Sequence, residues 1–485
     1  MLGVGITYSA AVEPLLDRRP DLFDVLEVEP QTLWTRGEPP GPSFRVDEAV
    51  LDHLEALPGR KLIHSVGTPV GGSVAPDPEQ LELLAAMVER FDAPWASDHL
   101  SYNQTPEFAT GFFLPPRQTS AGVSTVTASV ALLQRALRVP ILVETGVSYL
   151  QPRPDEFRDG DFVRAVAESA DCGLLLDMHN VFTNALNGRQ PVDEFLDALP
   201  LERVREIHLA GGMELDGFWL DAHSGEIPEP LIAICEGVIP RLPNLSAIVF
   251  EIFPSFVPLV GLDVVHAQIE RLHGLWRLRE SASEAPLNRP VALRVETASG
   301  EEALPPEAWE RALGALVIGR DDSVADPALR NDPGIRLVEG LIHEFRASMI
   351  VGVLRLTSRL LMLALGTDAF RTILASYWLA TPPQLYASLE AEAFARHLEK
   401  LELGVPHLVQ VLRFERAIAA TLADHEPRVV EFDFEPLPLL RALAAGRLPD
   451  EPARAGRFEI ELAPDGPAAA TGLELAAVES AFPYH

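Results

Sequence analysis

Histidines and carboxylates recur in short polar clusters through the first half of the sequence. These residues are Glu27, Glu29, His64, Asp98, His99, Glu144, Asp177, His179, Asn180, His208, Asp221, His223 and Glu251. Five imidazoles and several carboxylates at one place would repel one another unless bound multivalent cations supplied the missing charge. Mixed imidazole and carboxylate ligation without thiolates suits iron or manganese better than structural zinc. If the clusters converge, they predict a site for more than one metal ion.

Each of these residues also has a simpler explanation when it is taken alone. A single histidine at the end of a strand is more often a hydrogen-bonded structural residue than a ligand. Asp98 or Asn180 could cap the helix that follows, because such side chains accept backbone N–H bonds there. Glu27 and Glu29 could form a solvated rim. The metal prediction therefore depends on the elements that carry the clusters.

Eight short apolar runs precede or contain these clusters and predict β-strands. They are Gly3–Tyr8, Val25–Pro30, Lys61–Gly67, Trp95–Leu100, Ile141–Gly146, Gly173–Asn180, Arg205–Gly212 and Ala247–Phe253. Stretches with apolar residues at three- and four-residue spacing lie between them, which is typical of helices. Continuous apolar runs fit parallel strands covered on both faces. The alternation predicts a (β/α)8 barrel, a TIM barrel, over residues 1–280, with the polar clusters at the carboxyl ends of its strands.

Composition and charge restrict the classes of function. The 485 residues exceed one ordinary core, so two domains are expected. The net charge is −32, which repels phosphate backbones and argues against nucleic acid, while a basic peptide or bound cations remain compatible with it. Cys172 and Cys235 both lie beside apolar residues, and we expect two buried thiols in a reducing cytoplasm.

The remaining sequence predicts a connector and a second, smaller domain. Residues 281–334 are rich in Pro, Ala, Glu and Asp and are interpreted as a linker or connector, although Ala303–Gly319 could form a helix. Residues 335–485 predict a mainly α-helical domain with a short β element. The apolar stretch Met349–Gly366 contains Arg355 and Arg359, so it is interpreted as a buried amphipathic helix and no membrane association is expected.

A set of ordered motifs in the first half resembles the DUF692 family, the multinuclear non-heme iron-dependent oxidative enzymes that include the enzyme of methanobactin synthesis. The motifs are GVGITYS, LEVEPQTLW, HSVG, SDHLSYN, FFLPP, VETGVSYL, LLLDMHN, EIHLAGG, LDAHSG and FEIF. Two motifs depart from the family pattern: VETG replaces an ENP-like sequence, and EPQT replaces an EN pair, which leaves the role of Gln31 open.

The resemblance implies a TIM barrel that holds two or three iron ions in a mixed-valent Fe(II)/Fe(III) state, with O2 as co-substrate. The ligands it implies are His64, His99, Glu144, Asp177, Asn180, His208, Asp221, His223 and Glu251. Asp98 and His179 are the implied catalytic residues beside the metals, with Asp98 placed to orient His99 or its neighbours.

The C-terminal half is similar to the DUF2063-type partner proteins of these enzymes. The similarity is carried by LGTDAFRTILASYWLATPPQLYASLEAEAFARHLEKL and by LVQVLRFERA, with the PP and FER landmarks. It implies that a domain helping to present a precursor peptide is fused to the enzyme, so that a separate partner protein is unnecessary. The alternative is a generic helical domain that stabilises the barrel.

Together these features predict an O2-dependent iron enzyme that oxidatively modifies a residue, with cysteine favoured, of a ribosomally synthesised precursor peptide. The first alternative is a redox-neutral metalloenzyme on the same barrel, such as a sugar isomerase or a phosphodiesterase. An isomerase would commonly need a lysine near the mouth, yet the two lysines are Lys61, at the start of its strand, and Lys400, in the other domain. A further alternative is a non-catalytic peptide-binding protein.

Overall fold

Eight parallel strands close into a barrel, as the sequence predicts. The computed structural model describes residues 1–36, 43–46, 48–279, 304–320 and 327–463. The strands are β1 Gly3–Thr7, β2 Val25–Val28, β3 Arg60–Ser65, β4 Ala96–His99, β5 Ile141–Glu144, β6 Gly173–Asp177, β7 Val204–Ala210 and β8 Ala247–Glu251. Each strand pairs with its neighbours in chain order, and β8 pairs with β1. The predicted (β/α)8 architecture is confirmed.

The strands alternate between the barrel interior and the surrounding helices. Leu174 and Leu176 of β6 pack in the large cluster under the helices, whereas Leu175 packs in a small interior cluster. The other interior members are Val25, Leu62, Trp95, Leu142, Ala247 and Val249. Because successive side chains point to opposite faces of a strand, both faces of a closed parallel barrel need apolar residues. This requirement explains the continuous apolar runs of the sequence.

Helices and short turns connect the barrel strands. The α-helices are Glu13–Arg18, Glu48–Ala56, Pro78–Arg90, Ser120–Leu137, Asp159–Ser169, Met178–Leu186, Val192–Ala198, Glu229–Val238, Val257–Val260 and Leu262–Leu278. Short 3-10 turns are Ala10–Val12, Pro20–Leu22, Pro30–Leu33, Leu201–Arg203 and Ile239–Arg241. Several helices begin at a side-chain cap: Asp77 accepts the Glu79 N–H, and Thr119 accepts the Gly122 N–H.

Three β-hairpins are inserted after barrel strands. They are Trp34–Arg36 with Phe44–Val46, Tyr102–Gln104 with Ala109–Leu114, and Met213–Leu215 with Phe218–Leu220. They follow β2, β4 and β7 at the carboxyl ends of those strands. Loops at this end of a TIM barrel usually carry the functional residues, and here they surround the polar strand ends.

The C-terminal half is mainly helical. Its helices are Pro306–Val317, Pro327–Arg330, Pro333–Val353, Arg355–Leu365, Thr367–Ala380, Ala387–Leu398, Leu408–Asp424 and Pro436–Ala444. One antiparallel hairpin, Arg428–Phe434 with Ala455–Leu462, completes it. The first two helices lie within the range interpreted as a connector, whose residues 281–303 and 321–326 are outside the described residues. Trp309, Leu313 and Val317 of the first helix are buried, so this part of the connector is packed structure.

The apolar stretch Met349–Gly366 belongs to two helices rather than to the single helix expected from sequence. The chain breaks at Leu354, and Glu415 accepts the N–H groups of Leu356 and Thr357 at the start of the second helix. Arg359 donates to the carbonyls of Leu443 and Ala444. Among the described residues, no single helix is long and apolar enough to cross a bilayer; Pro333–Val353 and Arg355–Leu365 pass that test only as a pair, bent by 107°.

Candidate metal centre

The polar residues of the site follow the interior apolar residues by two positions along their strands. Glu27 follows Val25, and in the same way the interior residues of the other strands are followed by donors. These pairs are Leu62 and His64, Leu142 and Glu144, Leu175 and Asp177, and Val249 and Glu251, while Trp95 is followed by Ser97 and then His99. Because side chains two apart share one face of a strand, all these donors point into the barrel above its apolar floor.

One group of donors surrounds Glu144. Its Oε2 lies 3.4 Å from His64 Nε2 and 3.2 Å from His99 Nε2. The other nitrogen of each ring is engaged: His64 Nδ1 lies 2.9 Å from Ser97 Oγ, which donates to the Ile63 carbonyl, and His99 Nδ1 donates to the Ser65 carbonyl at 3.3 Å. In the neutral form of each ring the proton therefore belongs on Nδ1, and Nε2 is the nitrogen that faces the carboxylate.

A second group centres on His208 of β7. Its Nε2 lies within 3.2 Å of both carboxylate oxygens of Glu27 and donates to that carboxylate, while Nδ1 faces Glu251 Oε2 at 3.2 Å. Glu27 Oε1 also accepts the Thr7 hydroxyl at 3.1 Å. A carboxylate that accepts one ring N–H fixes the tautomer and directs the other nitrogen as a ligand. His208 therefore presents Nδ1 to the interior of the cluster.

A third group lies on the side of β6 and of the loop after β7. His223 Nε2 is 3.0 Å from Asp221 Oδ1 and 3.6 Å from Glu251 Oε2. Asp177 Oδ1 accepts the Asn180 N–H at 2.8 Å and so caps the helix Met178–Leu186. Asn180 donates its amide to the Thr145 carbonyl at 3.2 Å, which leaves its Oδ1 to point inward.

Asp98 and His179 lie beside the predicted ligands rather than among them. Asp98 is fully buried, with one oxygen accepting the Thr68 hydroxyl at 2.6 Å and the other accepting the His99 N–H at 2.8 Å. His179 donates from Nδ1 to Asp221 Oδ1 at 3.0 Å. Both residues contact the cluster through a neighbouring predicted ligand, Asp98 through His99 and His179 through Asp221.

Several buried oxygen and nitrogen atoms that could bind a metal ion have no hydrogen-bond partner among the described residues. They are Glu144 Oε2, Asp177 Oδ2, Asn180 Oδ1, His208 Nδ1 and Glu251 Oε2, with His179 Nε2 and Glu206 Oε1 beside them. Buried polar atoms are almost always paired, so these unpaired atoms indicate a site for cations. Four sets of side chains have ligand atoms that all lie within 4.8 Å of one another: His64, His99 and Glu144; Glu27, Glu206 and His208; Glu144, Asp177 and His208; and Asp177, His223 and Glu251. These residues fit metal ions.

The barrel part of the chain matches a known family. The family model described as RiPP precursor modification enzyme MbnB/TglH/ChrH matches residues 2–265, more than half of the chain. The chain belongs to this family. RiPPs are ribosomally synthesised and post-translationally modified peptides, so the family resemblance inferred from the ordered motifs is confirmed. The helical region after residue 265 lies outside the match.

Relatives of known sequence cover the same part of the chain. A UPF0276 protein of Chromobacterium violaceum is 31% identical over 260 residues, which are 53% of this chain and 90% of that protein. A UPF0276 protein of Caulobacter vibrioides is 29% identical over 256 residues, 52% of this chain and 89% of its own length. Among solved structures, a xylose isomerase domain protein from Planctomyces limnophilus is 14% identical with a TM-score of 0.38, covering 58% of this chain and 98% of its own.

Within this family domain, burial and mutual charge shift the pKa of most cluster members. Burial raises the pKa of Glu144 to about 8 and that of Asp177 to about 7. Burial alone would lower the pKa of His99, but the carboxylates of Glu144, Asp98 and Glu251 together outweigh it and raise the pKa to about 9. For His223, Asp221 and Glu251 together with Asp177 likewise outweigh burial and raise the pKa to about 10. Without a metal ion, the family site therefore holds protons at neutral pH.

Two further residues belong to this site although they were not among the predicted site residues. Glu27 was among the polar clusters of the sequence but not among the ligands that the family resemblance implies, and Glu206 was in neither group. Glu206 is fully buried, accepts the Trp95 indole N–H at 2.8 Å and lies 4.0 Å from His208 Nε2. The signal in the sequence was its spacing: Glu206 stands two residues before His208 inside an apolar strand, where a charged residue is costly unless it has a partner.

Proposed function

We propose that this chain is an iron- and O2-dependent enzyme that oxidatively modifies a residue of a ribosomally synthesised precursor peptide. The observation that carries the proposal is the convergence of unpaired carboxylate, amide and imidazole donors in a barrel of the RiPP-modifying family. The donor set contains no thiolate, and both cysteines are buried elsewhere, which favours iron or manganese over a structural zinc site.

The sets that contain Glu144 or Asp177 would hold two or three iron ions in a mixed-valent Fe(II)/Fe(III) state. Glu144 and Asp177 each belong to two of these sets, so they would contribute to more than one part of the centre. Asn180 and Asp221 would complete the ligand set. When bound, the iron ions would supply the electrons and the coordination positions for O2 and for a donor group of the substrate.

The residues around these donors would position them and limit the access of water. Glu27 would orient His208, Asp98 would support His99, and His179 would hold Asp221, each through the hydrogen bond already described. Because these supports are themselves buried, the donors are held before any ion arrives, as a preorganised site requires.

The open side of the cluster is where a peptide residue would enter. His99, Asp221 and His223 keep 16–17% of their side-chain surface exposed, whereas the side chains of His64, Glu144 and Glu251 are at most 5% exposed. Phe113 packs on His99 and Phe253 packs on His223, with ring centroids 4.3 and 4.6 Å apart. The two exposed imidazoles are therefore each covered on one face by an aromatic ring. We favour cysteine, because its thiolate is a good iron ligand.

The two lysines are poorly placed for the lysine-dependent isomerase alternative. Lys61 Nζ donates to the carbonyls of Leu57 and Gly59, at the start of β3 and at the opposite end of the barrel from the donors. Lys400 follows the helix Ala387–Leu398 in the other half of the chain.

The DUF2063-like helical region would bind the precursor peptide, so that no separate partner protein is needed. The enzyme would act in a reducing cytoplasm.

Anaerobic reconstitution with Fe(II), followed by addition of O2 and of candidate peptides encoded in the gene neighbourhood, tests the proposal. We expect O2 uptake together with a change in peptide mass, and loss of both in His208→Ala and Asp221→Ala. His53→Ala is the control, since His53 lies on the surface and is half-exposed. Full activity of either site variant, or of a protein that contains only zinc, would contradict the proposal.

A further inference from the structure

The hairpin after β4 connects the helical region with a predicted metal ligand. Its first strand, Tyr102–Gln104, begins three residues after His99, and its second strand, Ala109–Leu114, carries Phe113 back over the imidazole. The two rings are stacked, with centroids 4.3 Å apart and planes inclined by 23°. His99 needs such a cover more than His64 does, because its side chain is 17% exposed and that of His64 is only 2%.

The opposite face of this hairpin is buried by the helical region. Tyr102 and Leu114 are each 1% exposed and belong to one apolar cluster with Trp309, Leu313 and Ile342. The Tyr102 hydroxyl also donates to the Glu310 carbonyl at 3.3 Å. The hairpin therefore lies between the donor cluster and the helices Pro306–Val317 and Pro333–Val353, which the family match does not include.

Gly111 is a point of close approach in this contact. Its φ is +73°, and a Cβ atom added there would lie 2.6 Å from Pro383 Cβ and 3.4 Å from Ile342 Cγ2. Any larger residue would push the hairpin and the Pro383 loop apart, because Cβ atoms do not approach other atoms so closely. Glycine at this position thus allows both the left-handed backbone and the close approach.

The loop that carries Pro383 is fixed from within the helical region. Arg346 and Glu390 form a buried ion pair with an Nε to Oε1 distance of 2.6 Å. Arg346 also donates to the Thr381 carbonyl at 2.9 Å, and Glu390 accepts the Gln384 N–H at 2.9 Å. Both flanks of Pro383 are therefore tied to one buried pair, so the surface that meets Gly111 is rigid.

We propose that the helical region is a structural part of the metal centre: it holds the hairpin in place, and Phe113 of that hairpin is a positioning residue for His99. The inference rests on the metal centre proposed above and adds a role to the helical region besides peptide binding. A hairpin released from Pro383 would no longer press Phe113 onto His99, and the donor set of His64, His99 and Glu144 would lose its geometry while its ligands remained intact.

Anaerobic titration of the full chain with Co²⁺ tests the inference without catalysis, because the visible spectrum of Co²⁺ reports ligand geometry. We expect Gly111→Ala to bind one equivalent of Co²⁺ about ten-fold more weakly than wild type, with a changed spectrum. Gly446→Ala is the matched control: its φ is +72°, it lies in the helical region away from the hairpin, and a Cβ there has nothing within 4 Å. Wild-type affinity and spectrum in Gly111→Ala would overturn the inference, as would an equal loss in Gly446→Ala.

Substitutions of Phe113 distinguish a role in positioning His99 from a general role in folding. Phe113→Leu should weaken the same equivalent and alter the same spectral band, whereas Phe113→Tyr, which keeps the ring, should restore both. Equal Co²⁺ binding by the leucine and tyrosine variants would overturn the role of Phe113. Absence of Co²⁺ binding by wild type would contradict both the proposed metal centre and the inference. Normal binding by wild type and by all the variants would contradict only the inference.

Discussion

Glu27 and His208 form a fully buried pair in which both carboxylate oxygens lie within 3.2 Å of one imidazole nitrogen. The carboxylate accepts the Nε2–H hydrogen bond, so Nδ1 is the ring nitrogen that faces Glu251. The pair therefore determines which nitrogen of the imidazole is available as a ligand. His208 depends on Glu27 for this orientation.

Replacing Glu27 should weaken metal binding without removing a ligand. We expect Glu27→Leu to lower the affinity for Fe(II) by 10- to 100-fold, the usual effect of losing a carboxylate that orients a ligating histidine. Glu27→Gln keeps one acceptor oxygen and should fall between Glu27→Leu and wild type. Anaerobic titration with iron analysis measures the effect.

The surface supplies a matched control for this prediction. Glu13 accepts from His53 Nε2 at 2.8 Å, and the side chains of His53 and Glu13 are 50% and 30% exposed. Glu13→Gln removes the same kind of contact outside the site and should leave iron affinity unchanged. Unchanged affinity in Glu27→Leu would show that His208 does not need this carboxylate.

Metal uptake should release protons, and the affinity should rise with pH. The raised pKa values of Glu144, about 8, and Asp177, about 7, mean that both carboxyls are largely protonated at pH 6 in the metal-free chain. His99 and His223, with pKa values of about 9 and 10, hold protons as well. Because metals bind the deprotonated forms, these protons must leave. Affinity therefore increases as pH rises from 6 toward 9.

Calorimetric titration in two buffers of different ionisation enthalpy counts the released protons. We expect a larger number at pH 6.5 than at pH 9 and a parallel gain in affinity over that interval. Binding that releases no protons at pH 6.5 would contradict the pKa shifts on which this prediction is based.

The barrel and the convergence of its polar strand ends could be predicted from sequence, because both follow from short-range periodicity. The period-two spacing of Leu175 and Asp177 within a strand is a local property, and parallel strands bring their ends to one edge. The support given by Glu27 and Glu206 depends on the register between β2 and β7, across the barrel. No local pattern encodes that register, so neither residue was among the implied ligands, although the spacing of Glu206 from His208 was a local signal.

Metal removal should destabilise the folded barrel. A bound ion stabilises the folded state by about 2.7 kcal/mol when its free concentration is 100 times its Kd. Removal also leaves the buried carboxyls of Glu144 and Asp177 to take up protons in place of the ion. We expect scanning calorimetry to show a lower Tm after chelation, and a smaller decrease in His223→Ala, which has already lost one ligand. Equal Tm values before and after chelation would contradict occupancy of the site.

The sequence predicted a mainly helical second half of the chain, but not which parts of the barrel these helices contact. The apolar spacing of Trp309, Leu313 and Val317 marks an amphipathic helix, which the sequence allowed within the connector. Its partner is the hairpin after β4, far away in sequence, and only the folded chain brings them together. The helix break at Leu354 was missed for a similar reason, since the carboxylate that caps the second helix belongs to Glu415.

The buried Arg346–Glu390 pair should be far more important for stability than an exposed pair on the same helix. Glu390→Leu leaves the Arg346 guanidinium buried without its counter-charge, so we expect a loss of about 3–5 kcal/mol in the free energy of unfolding. Arg396 pairs with Glu392 at 2.9 Å on the surface of that helix, and Arg396→Met should cost less than about 1 kcal/mol. Urea denaturation followed by circular dichroism measures both variants. Because the pair also fixes the loop around Pro383, Glu390→Leu should make that loop more sensitive to protease before the protein unfolds globally. Equal protease sensitivity in Glu390→Leu and Arg396→Met would contradict this role of the pair.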